Sequence, residues 1–122
     1  MKETLSRFVL LEHTGHPDNP TGKHFDLLLE QPDACETWRL ADIPQVEQPA
    51  LVATQLPDHR LIWLDRLEGE VSGGRGFARR VDSGSYVYLD TTSAKEKRVV
   101  KLTGETISGV LTIIKKEATL SR

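Results

Sequence analysis

The sequence lacks most of the features that announce a function at a glance. It has one cysteine, Cys35. An intrachain disulfide framework is therefore excluded, and a single thiol suits a reducing compartment. Cys35 sits in the turn-like stretch "PDACET", a poor setting for a nucleophile, and reads as an incidental small residue. No apolar run approaches the roughly 20 residues of a membrane helix. The start, "MKETLSRFVLL", has no signal-peptide pattern. The expected location is the cytoplasm, with no membrane partner. Strong charge of one sign is missing too, since the formal net charge is −2. No global positive field advertises nucleic acid, although a local basic groove fits inside a neutral total. Long helical periodicity is also absent: no segment keeps a 3.6-residue apolar repeat beyond about three turns.

What remains is an ordinary globular composition, 38% hydrophobic and 28% charged over 122 residues. That length suits one domain with a real core, expected over 1–122 with its core at 6–116. Short apolar stretches alternate with Pro and Gly. "RFVLLEH", Arg7 to His13, predicts a first strand, and Thr14 to Lys23 a loop with two prolines and two glycines. "HFDLLLE" is the second strand and "TWRLADI" the third, ended by Pro44. Ala50 to Gln55 suits a strand or a short helix, and His59 to Asp65 a strand or a half-buried turn. Hairpin grammar follows, with turns at Gly73-Gly74 and Ser83-Gly84. "KRVVKLTGE" and "ISGVLTIIKK" close the chain as strands, and "EATLSR" is expected to fray. The fold class is all-β: a small closed or nearly closed barrel of about seven to eight mostly antiparallel strands with little helix.

The strand "KHFDLLLE" raises the functional question. Side chains alternate along a strand, so Phe25, Leu27 and Leu29 share one face and His24, Asp26, Leu28 and Glu30 the other. An imidazole and a carboxylate two residues apart can converge on one cation such as Mn²⁺, Zn²⁺ or Fe²⁺. A solvated edge strand explains the same pair, but Leu28 between Asp26 and Glu30 argues for an enclosed face. All four histidines, His13, His16, His24 and His59, lie in the first half. Their places at strand ends suit a meeting in a barrel mouth, a usual place for a site. Trp38 reads as core. "GGRGFARR" lacks the Walker ending and reads as a hairpin turn. "AKEKR", Ala94 to Arg98, reads as a solvated loop or a nucleic-acid contact.

The order "FVLLEH", "HFDLLLE", a tryptophan, "DHRL", "LEGEVSGGRG", "DSGSY" and "VKLTGETISGVLTIIKK" resembles the 3′-phosphoesterase domain of bacterial ATP-dependent DNA ligase D and its stand-alone relatives. The likeness runs from Phe8 to Lys116. It implies a compact β-barrel hydrolase of DNA end repair that binds Mn²⁺, with Zn²⁺ or another transition metal as alternatives. Such an enzyme removes a terminal ribonucleoside and then the 3′-phosphate from nucleic acid. Its partners would be a nucleic-acid 3′ end and a DNA ligase or polymerase acting in trans. Carried over residue by residue, His13, Asp26 and His59 would hold the metal. His16 is the alternative to His13, because the loop before His24 is longer than in the family. His24 would be the catalytic or phosphate-contacting histidine. Trp63 stands where the family has a tyrosine, and Arg39, Arg60 and Arg75 would serve substrate binding.

Three further positions depart from the family's pattern. Leu28 stands where a phosphate-gripping arginine is expected, Asp42 near an expected lysine and Leu51 near an expected arginine. Two other functions therefore stand beside the first. One is a metal-binding barrel with weakened catalysis, serving as a nucleic-acid-binding or regulatory module. The other is a phosphoesterase for a small phosphorylated molecule. Basic side chains pointing into the metal pocket from other positions would separate the enzymes from the module.

Overall fold

The computed structural model describes residues 6–17, 19–71, 73–90 and 97–122. Nine strands form one antiparallel sheet: β1 (Ser6–His16), β2 (Asn19–Glu30), β3 (Cys35–Leu40), β4 (Leu51–His59), β5 (Glu68–Glu70), β6 (Phe77–Asp90), β7 (Lys97–Gly104), β8 (Ser108–Ile114) and β9 (Glu117–Ser121). A single 3₁₀ turn, Leu61–Leu64, is the one helical element among the described residues. None of these elements is a helix long and apolar enough to cross a membrane.

The strands follow the order β1-β2-β3-β4-β9-β8-β7-β6, and β6 pairs back onto β1. Hydrogen bonds thus ring through eight strands, so the all-β, barrel-like expectation holds. β5 hangs on the outer edge of β6. The weakest seam is between β4 and β9, which pair only at Leu51–Ala118 and Val52–Glu117.

Period-two alternation sorts the apolar residues into two clusters. Phe8, Leu10, Phe25, Leu27, Trp38, Leu40, Val100, Leu102, Leu111 and Ile113 share the first. They come from the inward face of most strands of the ring and form the barrel interior, Trp38 included. The second cluster is smaller and lies on the opposite, outer face. There Val9, Leu11, Leu28, Cys35 and Ala78 are roofed by Trp63 and Leu64 of the 3₁₀ turn. Burying each of these leucines contributes roughly 1.5–3 kcal/mol. That is enough to hold a four-residue turn against a sheet.

Several local expectations are corrected. The segment Thr14 to Lys23 is not a loop: β1 runs to His16 and β2 starts at Asn19, with His16 opposite Asn19. Gly15 takes φ +71°, a conformation only glycine adopts freely, and the register shifts there. Ala50 to Gln55 resolves as strand, and the stretch after His59 as the 3₁₀ turn. Ser83-Gly84 is no turn but the middle of the long β6, where Gly84 lies so close to Thr103 that a Cβ would sit 2.0 Å from its carbonyl oxygen. "EATLSR" is not frayed. It forms β9, whose Ala118 and Leu120 complete the interior. Of the "AKEKR" cluster, residues 94–96 lie outside the described residues, and Arg98 bonds Glu36 through Nε at 2.9 Å.

Candidate metal centre and its basic pocket

The histidines do not meet in a barrel mouth. They meet on the outer face, beside the second apolar cluster. Register explains why: His13 of β1 stands directly opposite His24 of β2, and Leu11 opposite Asp26. His13, His24 and Asp26 therefore project from the same face, next to Leu11 and Leu28. All three are at least nine-tenths buried.

Their donor atoms converge. His13 Nδ1 lies 3.3 Å from Asp26 Oδ2, and His24 Nε2 lies 3.0 Å from His13 Nδ1. One nitrogen or oxygen from each of the three falls within 4.8 Å of the others, a spacing that could hold a metal ion. The orientation of His13 is set from behind. The Arg75 carbonyl can only accept, so His13 Nε2–H donates to it at 2.6 Å. That leaves Nδ1 to face Asp26 and His24, the arrangement by which an outer carbonyl commonly fixes a metal-ligating imidazole. The carbonyl is held in place by a glycine. Gly76 has φ +99°, and a Cβ there would sit 2.1 Å from the Thr14 carbonyl oxygen.

His59 reaches the same face through an irregularity. Between β3 and β4 the register shifts: Thr37 faces Leu56, but Cys35 faces His59. One extra residue, in the Pro57-Asp58 stretch, forms a bulge that re-aims the chain. Without it His59 would point into the barrel. His59 Nδ1–H donates to the Pro57 carbonyl at 3.1 Å, which turns Nε2 towards Asp26 Oδ2 at 4.0 Å. His16 also arrives by an irregularity, the shift at Gly15. Its ring packs edge-on to His13 and His24, with centroids 5.6 and 6.0 Å away.

The donor set is short of protons, as a cation site should be. A carboxylate only accepts. Three electron-pair atoms crowd together, and Asp26 Oδ1 is buried without a hydrogen bond, although His24 Nε2 is 3.5 Å away. The hydrogen bond to Asp26 raises the His13 pKa, while burial lowers that of His24 to about 4. His24 is therefore held neutral by its burial. The residues present could hold a metal ion between them.

The cluster opens on a cavity of about 460 Å³. His13, His16, Asp26, His59 and Trp63 line it, as do Arg39, Arg60 and Arg75. His24 does not: it stands behind His13, inside the donor group rather than on the wall. Arg66, which sequence reasoning passed over, also lines the cavity, and its guanidinium lies over the Trp63 ring at 5.1 Å. The crowding of arginines in "HRLIWLDRLE" was the available signal. Other cations stay out. Lys23 and Arg79 pair with Glu12 at 3.6 and 3.4 Å, and Arg80 braces the 3₁₀ turn by donating to the Leu64 carbonyl at 2.6 Å. Cys35 is no nucleophile candidate. It is fully buried, and burial pushes its thiol up to about 11.

Leu28 is fully buried in the outer cluster. The enclosed face that its position implied is the roof made by Trp63 and Leu64. No protein-family model matches the chain, and no curated protein matches it.

Proposed function

We propose that this protein is a divalent-metal-dependent phosphoesterase acting on the 3′ ends of nucleic acid, as the resemblance to the ligase D phosphoesterase domain implies. The observation that carries the reading is the pairing of two features in one cavity. Two members of a buried His/His/Asp donor group, His13 and Asp26, line it together with four arginines. The basic side chains expected at Leu28 and Leu51 and near Asp42 are replaced by others from β3 and from the segment between β4 and β6. That supports an enzyme over a module with weakened catalysis.

His13, His24 and Asp26 would hold the metal, with His59 Nε2 facing the same carboxylate; Mn²⁺ is the preferred ion. The chemistry such an ion supplies when bound is Lewis-acid stabilisation of charge on a phosphoryl oxygen. The chain's own residues do the rest. The Arg75 and Pro57 carbonyls hold the imidazole tautomers. The arginines neutralise phosphoryl charge with forked N–H donors. The Trp63 roof keeps water from one side.

A second reading has one observation in its favour. A cavity of this size takes a small molecule, so a small phosphorylated compound fits as well as a nucleic-acid end. The decisive assay is Mn²⁺-dependent release of phosphate from a 3′-phosphorylated oligonucleotide. Activity should appear with the metal, vanish with a chelator, and fall by at least about 100-fold in Asp26→Ala. A metal-loaded, folded protein inert towards 3′-phosphate and 3′-ribonucleotide ends would refute the nucleic-acid reading.

A further inference from the structure

We propose that the site selects a doubly charged terminal phosphate, that is a phosphomonoester, over an internal diester, and that Arg39 is the residue that grips it. The proposal rests on the reading of this cavity as a phosphoester site and deepens it.

Arg39 of β3 stands directly opposite Asp26 of β2, on the same face of the sheet. It lines the cavity, yet no acid pairs with it among the described residues, and its Nε is buried without a hydrogen-bond partner. Buried donors are seldom left so. A guanidinium beside a cation-binding group, with its edge unsatisfied, is a site for an anion. The charge around it points the same way. Asp26 is engaged with the histidines. Among the described residues, Arg39, Arg60 and Arg66 line the cavity beside two carboxylates, Asp26 and Asp58. A divalent metal would widen that excess. A diester carries one negative charge, whereas a monoester carries nearly two at neutral pH. The second charge, and a third free oxygen for a forked donor, favour the monoester. The source of the monoester is either a nucleic-acid 3′-phosphate or a small phosphorylated molecule.

The test is calorimetric titration of the full chain, with and without Mn²⁺. The ligands are phenyl phosphate, methyl phenyl phosphate and a 3′-phosphorylated dinucleotide. Phenyl phosphate should bind at least about tenfold more tightly than its methyl diester. Arg39→Gln should erase that difference without weakening the Mn²⁺ isotherm. Arg39→Lys keeps the charge but not the fork, and should weaken phenyl phosphate by about threefold or more. It carries the test if the glutamine variant misfolds, as judged by circular dichroism. Equal binding of monoester and diester, or unaltered phenyl phosphate binding in a folded Arg39 variant, overturns the proposal. Monoester binding that depends on Arg39 without any Mn²⁺ isotherm sustains it and sinks the metal reading instead. A dinucleotide that outbinds phenyl phosphate assigns the source to nucleic acid, and parity assigns it to a small molecule. Either result sustains the selection for a monoester.

Discussion

At the scale of the residue, Leu28 shows how much of the site is decided by what lies above it. Its neighbours on β2, Asp26 and His24, reach the donor cluster, but Leu28 points under Leu64 and Trp63 and has no exposure. Restoring the arginine that the resemblance expects would not restore a phosphate contact. Leu28→Arg would place a guanidinium beneath an apolar roof, between an Asp26 engaged with His13 and a Glu30 paired with Arg7. A destabilisation of about 3–5 kcal/mol is expected, the scale of an uncompensated buried charge. Urea denaturation would measure it. A variant as stable as the wild type and more tightly phosphate-binding would show that the roof lifts easily.

At the scale of the element, Asp82 of "DSGSY" shows how one buried carboxylate ties two strands together. In the fold its side chain belongs to the barrel interior, not to the outer face. Its two oxygens accept backbone N–H bonds from Ser83, Glu105, Thr106 and Ile107. It thereby ties β6 to the turn between β7 and β8. Gly104 has no room for a side chain, since a Cβ would lie 2.5 Å from Asp82 Oδ2. Hydrogen bonds to a charged group contribute about 1.5–3 kcal/mol each, and orphaning the donors adds a penalty. Asp82→Ala is therefore expected to lose at least about 3 kcal/mol, with Asp82→Asn intermediate, while Mn²⁺ affinity per folded molecule stays unchanged. Thermal melts with and without metal check both parts. A fall in metal affinity with stability intact would move Asp82 into the site.

At the scale of the whole molecule, closure depends on the last six residues. β9 joins β8 to β4, and the β4–β9 seam has only two facing pairs. Deleting residues 117–122 removes the buried Ala118 and Leu120 and opens the ring. The cost should be at least about 3 kcal/mol, comparable to deleting a large buried side chain. The truncated chain should show a lower melting point and faster amide exchange in β4 and β8. Unchanged exchange protection there would mean that the ring does not need its seam. The site is built on β1, β2, β3 and β4, so strain at that seam reaches it through β4, which carries His59.

Alternation along the chain determined the all-β class, the pairing of His24 with Asp26 on one face, and the enclosure around Leu28. Those properties are local, because a strand's two faces are set by its own pleat. The nearness of His13 and His59 to Asp26 was legible only as an order of residues borrowed from a resemblance, not as a distance. Tertiary structure decided the rest. It put the cluster on the outer face and not in a mouth, because the interior was already filled by the opposite side of the same strands. It brought in His59 and His16 by register shifts, which period-two reading cannot count. And it brought Arg39 of β3 and Arg66 of the following segment to the wall of one cavity, which residues so far apart in the chain cannot announce.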